Sequence, residues 1–222
     1  VNTSSSTNVA WCWKAGTTSG ITTDGNTTIT PSAYSFSQDA GISILKHTGN
    51  GTSGAKMAHG LGAVPHMIII KNTLTANEWV VYHHKNTAAP ETDGLVLNTT
   101  AATADDAAYW NDTAPDSVNM TFGNSGATND STGGSNVYIS FSFTAKQGYS
   151  KFGSYVGNGN ADGAFVYTGF RPAWIIIKRS SSTENWAIVD DQRDGYNVDN
   201  DQLLNTTAAE ITNDRMDILS NG

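Results

Sequence analysis

The sequence lacks most of what marks a chemical site. It holds one cysteine, Cys12, so no disulfide forms within the chain. Cys12 lies in the apolar run Val9-Ala10-Trp11-Cys12-Trp13, where the expected role is a buried small hydrophobe. Charged residues make up only 14% of the 222, and Lys and Arg form no cluster. A polyanion is held through basic groups that displace its counterions, so nucleic acid is not an expected partner. No apolar run approaches the ~20 residues of a membrane span, so no membrane insertion is expected. The N-terminus has no charged-then-apolar signal segment, and the chain begins with Val1, as expected of a processed or excised piece. There is no G-x-S-x-G, H-E-x-x-H, C-x-x-C or phosphate-binding loop, and no enzyme is expected.

What is present is Gly, Ser, Thr and Asn in abundance, with six Trp and several Ile runs. This mix suits short strands joined by many turns, and it is too apolar for a disordered chain. The formal net charge of −8 favours solubility and is compatible with a divalent cation.

An internal repeat organises the chain. The run from His59 to Lys71, with Pro65 before Met67-Ile68-Ile69-Ile70, matches the run from Val166 to Lys178, with Pro172 before Trp174-Ile175-Ile176-Ile177. The offset is 172 − 65 = 107 residues. It also carries Trp79 onto Trp186, and Leu97-Asn98-Thr99-Thr100 onto Leu204-Asn205-Thr206-Thr207. Several blocks at one offset mark tandem units. A third fragment, Asn8-Val9-Ala10-Trp11-Cys12-Trp13, resembles Asn136-Val137-Tyr138-Ile139-Ser140-Phe141.

The expected organisation follows. Residues 1–16 read as the closing strand of a preceding unit, and 17–40 as a connector with short strands. Residues 41–147 read as a complete β-sandwich unit, and 148–222 as a second, truncated one. Strands are expected at 41–48, 66–72, 79–85, 93–98, 117–122 and 136–145, where period-two alternation or a continuous apolar run occurs. Only 100–109 is mildly helical. The fold class is therefore all-β: tandem sandwich units, jelly-roll or lectin-like. A sandwich lacking its last strand exposes an unpaired edge. The strand at 8–14, carried by Val9, Trp11 and Trp13, is expected to complete the second unit, in cis or from a neighbour.

Candidate chemistry is sparse. The Gly-Asn-Gly-Thr-Ser-Gly run at 49–54 fits G-x-G-x-x-G, but no helix follows, so it reads as a hairpin turn. Asp190, Gln192, Asp194 and Asp201 approximate the ligand spacing of a calcium loop. Calcium is thus the one conceivable cofactor, and a solvated acidic loop is the alternative. His59, His66, His83 and His84 lack zinc-finger spacing and become Val166, Ala173, Asp190 and Asp191 in the repeat, so they read as structural. Trp79 and Trp186 are expected to anchor the core of each unit. Trp110, Tyr149, Tyr155 and Tyr196 fall in or near expected loops, where rings either stack on sugars or fold onto the core.

The runs Val9-Ala10-Trp11-Cys12-Trp13-Lys14-Ala15-Gly16, His59-Gly60-Leu61-Gly62 with Pro65, Gly148-Tyr149-Ser150-Lys151-Phe152-Gly153-Ser154-Tyr155, and Gly169-Phe170-Arg171-Pro172-Ala173-Trp174 resemble a repeat domain of marine tailed-phage structural proteins, which are large fibre-like or tail-associated chains. The resemblance implies a virion or extracellular location. It implies as partners other copies of the chain or other fibre proteins, with host-surface glycans as a further class. It brings no functional residues. The expected function is a structural or adhesion module acting by assembly and display. A lectin-like carbohydrate-binding module is the alternative.

Overall fold

A computed structural model describes residues 4–5, 8–130, 136–193, 200–212 and 216–222. Alternation builds it. In the strand Val137–Phe143, Tyr138, Ser140 and Ser142 are buried while the residues between them are half-buried, so the strand separates two environments. The strands are β1 (Ala33–Ser37), β2 (Ile42–Thr48), β3 (Ala55–Ala58), β4 (Met67–Asn72), β5 (Trp79–His83), β6 (Asp93–Val96), β7 (Ala104–Asp105), β8 (Asn119–Phe122), β9 (Val137–Phe143), β10 (Trp174–Ile177), β11 (Ala187–Asp190) and β12 (Gln202–Leu203). One short helix, α1 (Ala107–Trp110), lies between β7 and β8. The protein is all-β, and no helix among the described residues is long and apolar enough to cross a membrane.

Seven strands form one sheet in the order β1-β2-β9-β4-β5-β6-β7. Its inner face presents Leu45, Tyr138, Ile68, Ile70, Val80 and Tyr82 to Met57, Met120 and Phe122 of the two-stranded β3-β8 sheet, and to Tyr109 and Trp110 of α1. These side chains form the main core. Asp106 caps α1 by accepting from the Ala108 N–H at 2.9 Å, and Asn111 ends it in a left-handed conformation. His47 lies flat between Phe122 and Tyr138, at 4.9 and 5.0 Å.

The outer face of the same sheet is covered by the three-stranded sheet β10-β11-β12. Trp186, just before β11, and Ile176 of β10 pack on Met67, Ile69, Val81, Leu95, Leu97 and Phe143. The indole N–H of Trp186 donates to the Val96 carbonyl, and Glu184 N–H donates to Thr100 O at 2.9 Å. The two repeats are therefore packed on each other and share an apolar layer.

The repeat is visible strand by strand. Met67 faces His83 and Ile70 faces Val80; at the same sequence offset Trp174 faces Asp190 and Ile177 faces Ala187. Val80 faces Val96, and Ala187 faces Leu203. Asn98 Oδ1 accepts from Trp79 N–H at 2.9 Å, as Asn205 Oδ1 accepts from Trp186 N–H at 2.9 Å.

Three expectations are corrected. The glycine run at 49–54 is not a hairpin turn: β2 and β3 belong to different sheets, and the run carries the chain from one to the other. Trp79 is only half-buried, on the outer face, with Lys71 Nζ 6.0 Å above its ring, whereas Trp186 is buried. Cys12 is exposed rather than buried.

Candidate functional site

The site is built around β10. Its sequence, Trp-Ile-Ile-Ile, is one of the most apolar strands of the chain, and all four residues are half-buried. One edge is hydrogen-bonded to β11. The other edge borders no strand among the described residues. In the first repeat the matching edge belongs to β4, and there β9 pairs along it, with Met67 facing Phe143 and Ile70 facing Ser140. Natural sheets protect such edges with a charge, a proline or a bulge. Within β10 there is no charge and no proline.

Residues 9–13 lie near the start of β10, outside any strand. The Trp13 ring meets Trp174 edge-on at 5.5 Å and Phe143 at 6.4 Å. Between this segment, the start of β10 and the end of β11 lies an open cleft of about 600 Å³, lined by residues that include Trp11, Trp13, Trp174, Asp190 and Arg193. Val9 and Trp13 remain exposed, and Trp11 is half-buried. The three residues expected to act as an assembly strand thus gather at the cleft between the start of β10 and the end of β11, without pairing to either.

The end of β11 is locked by an ion pair. Asp190 is buried and accepts from Arg193 Nε at 2.8 Å and from the backbone N–H groups of Gln192 and Arg193, each at 3.1 Å. Burial raises the Asp190 carboxyl pKa, but the Arg193 guanidinium and the two N–H groups outweigh it and hold it below the usual range. Arg193 also binds Glu210 and, at 2.9 Å, the Asn200 carbonyl.

This geometry bears on the calcium loop weighed against a solvated acidic one. Of the Asp190 oxygens that would ligate a cation, Oδ2 already holds the Arg193 guanidinium and Oδ1 accepts from the Gln192 and Arg193 N–H groups. Gln192 Nε2 donates to Asp191 at 2.8 Å. Asp201 is buried, and its backbone pairs with Ile211. Asp194 lies outside the described residues. Among the described residues no group of three His, Cys, Asp or Glu is placed to hold a metal ion.

The expected sugar-stacking rings are not brought together. Trp110 is 2% exposed, edge-on to Tyr82 in the core, so its face is closed to any ligand. Tyr149 and Tyr155 are 60% and 53% exposed, on the stretch after β9. Tyr196 lies outside the described residues. Trp174 and Arg193 were not singled out from the sequence. The signal for Trp174 was its place opposite Met67 in the repeat, where an aromatic replaces an aliphatic at the mouth of the cleft.

The histidines are held by local bonds. His59 Nδ1 accepts from Leu61 N–H at 3.2 Å, and its Nε2 bonds the Asp116 carbonyl at 3.0 Å. His66, His83 and His84 cluster beside Phe152, His66 stacked on its ring and edge-on to His84. His66 Nδ1 accepts from Ala145 N–H at 3.0 Å, and His84 Nε2 bonds the Phe152 carbonyl at 3.3 Å. Burial, with His84 and His66 nearby, pushes the His83 pKa down to about 4.

With the fold and the β10 edge described, comparison with known proteins gives one assignment. The chain belongs to the family of a domain of unknown function, DUF7483. The match runs over residues 1–222. No curated protein and no solved structure matches.

Proposed function

We propose that the chain is a structural module of a virion fibre or appendage, located on the virion or outside the cell, which acts by assembly and surface display. The observation that carries this reading is the outer edge of β10, an apolar strand that borders no strand among the described residues where its counterpart β4 is paired. An edge of that kind is a template for another strand, and main-chain hydrogen bonds supply the affinity. The resemblance of the repeat motifs to tailed-phage structural proteins supports the location. The partners are other copies of the chain or other fibre proteins. The low content of charge and the lack of a basic cluster accord with a partner that is not a polyanion.

Sedimentation velocity over a range of concentrations tests the reading. The wild-type chain is expected to shift to larger species as concentration rises. Ile175→Lys places a charge on the open strand and is expected to hold the folded protein as a monomer. A wild-type chain that stays monomeric up to the highest soluble concentration contradicts assembly through this edge.

A second reading, a lectin-like module for host-surface glycans, is favoured by one observation: Trp11, Trp13 and Trp174 line the same open cleft beside the Asp190–Arg193 pair. Indole faces stack on sugars, and the ion pair offers hydrogen bonds to hydroxyls. Binding to a microbial glycan array that is lost in Trp174→Ala and insensitive to chelator would favour it over assembly.

A further inference from the structure

We infer that His66, His83 and His84 form an acid-sensitive latch, which holds the chain against the start of β4 and the end of β5 where it passes from the first repeat into the second. The inference is independent of assembly, because its bonds join residues of the first repeat to the stretch that follows β9.

The three rings sit together at one end of the seven-stranded sheet. His66 precedes β4, His83 ends β5 and His84 follows it. The His84 N–H donates to the His66 carbonyl at 2.9 Å and keeps the two stretches side by side. The rings of His66 and His84 meet edge-on at 4.4 Å, and those of His83 and His84 lie 5.3 Å apart. Phe152 covers the cluster: its ring stacks on His66 at 6.1 Å and lies 6.5 Å from His83. Phe152 also meets Phe143 at 6.1 Å and belongs to the apolar layer that the repeats share.

Hydrogen bonds fix two of the rings as neutral. Ala145 N–H donates to His66 Nδ1 at 3.0 Å, and Lys85 N–H donates to His83 Nδ1 at 3.2 Å. A nitrogen that accepts such a bond carries no proton. His84 differs, because its Nε2 donates to the Phe152 carbonyl at 3.3 Å. A first proton on His84 leaves that bond in place. A further proton, on His66 or His83, displaces a backbone donor. On His66 the protonated Nδ1 turns to the Thr144 hydroxyl, 3.1 Å away, and Ala145 N–H loses its acceptor. Thr144 stays fixed, since its own N–H donates to Gly41 O at 2.9 Å. Release therefore begins at Ala145 and frees Phe152 beyond it.

No opposite charge offsets protonation. Among the described residues no carboxylate forms an ion pair with the three rings. Besides one another, the charged group that acts on them is Lys85, which opposes a proton on His66 and His84. Burial is the main cause that lowers all three pKa values, that of His83 to about 4. The folded chain thus takes up these protons at lower pH than the unfolded one. The stability held in the latch is full above about pH 6.5 and is lost as pH falls toward 4. In the second repeat the same positions are Ala173, Asp190 and Asp191, and the two acids pair with Arg193 and Arg171. That corner is held by ion pairs instead.

Amide exchange read residue by residue by NMR tests the latch. Between about pH 7.5 and about pH 4.5 the Ala145 amide, corrected for its intrinsic rate, is expected to lose protection at least about tenfold. Thr144 and Leu45 amides are expected to keep theirs, which separates release of the latch from acid unfolding of the whole chain. His66→Asn places an oxygen that does not titrate where Nδ1 accepts, and is expected to keep Ala145 protected at both pH values. The wild-type ring protons give a second reading that needs no variant: the His66 midpoint is expected to coincide with the loss of Ala145 protection. Constant protection of Ala145, loss shared equally by Leu45, the same loss in folded His66→Asn, or a His66 midpoint apart from the loss would each overturn the inference.

Discussion

The indole N–H of Trp186 donates to the carbonyl of Val96 at 2.9 Å, joining the second repeat to the first. Trp186 is 4% exposed, while Trp79, its counterpart one repeat earlier, is only half-buried. The same residue at the same repeat position thus has different roles according to what covers its face. Trp186→Ala is expected to cost about 3–5 kcal/mol and Trp79→Ala markedly less. Trp186→Phe keeps most of the packing and isolates the hydrogen bond, at about 1 kcal/mol. Urea unfolding of the three variants checks the order.

Acid sensitivity follows from His47. Burial between Phe122 and Tyr138 pushes its pKa down to about 4, with the Thr128 carbonyl opposing the shift. The unfolded chain takes up this proton near 6.5 and the folded chain only near 4. The stability due to neutral His47 is therefore full above about pH 6.5 and is lost as pH falls toward 4, on the order of 3 kcal/mol. His83 shifts in the same direction for the same reason. NMR titration is expected to show the His47 ring neutral at pH 5.5. A midpoint near 6.5 would contradict its burial.

Gly123 is required by close approach. A Cβ there would lie 2.1 Å from the Ala108 carbonyl oxygen, where the end of β8 passes under α1. Backbone cannot yield as a flexible side chain does, so Gly123→Ala is expected to cost at least about 1–3 kcal/mol and to lower the thermal midpoint. An unchanged midpoint would mean that α1 is not seated on β8.

Arg193 is expected to matter more than any calcium ion. Removing it leaves the Asp190 carboxylate buried and unpaired, a loss of about 3–5 kcal/mol in Arg193→Ala. Millimolar calcium is expected to leave the wild-type melting temperature unchanged, because the guanidinium already occupies the carboxylate. A calcium-dependent rise would show a site the ion pair does not exclude.

The sequence made the long strands legible because their signal is local. Period-two alternation in 137–143 and the apolar run after Pro65 each require only a few neighbouring residues. The repeat offset also carried the pairing register, since equivalent residues form equivalent ladders. What escaped was set by distant chain. β3, Ala-Lys-Met-Ala, is too short and too plain to signal a strand, and it forms because β8 lies beside it. Trp110 read as a loop ring, but α1 turns it under Tyr82. Cys12 read as buried because its flanks are those of a paired strand, and it is exposed because here that segment has no ladder. At the site, Val9, Trp11 and Trp13 read as an assembly strand, and the structure places them outside any strand, near Trp174. Arg193 was not legible, because its meaning lies in Asp190 and Glu210 around it.

The central claim is that the outer edge of β10 is a docking edge, and amide hydrogen exchange tests it most directly. Alternate amides of β10 face away from β11 and pair with no strand among the described residues. The account predicts that exchange across 174–177 slows as protein concentration rises, and that Ile175→Lys abolishes the slowing. Exchange at these amides that stays fast and independent of concentration, in a chain that is otherwise protected, would contradict it.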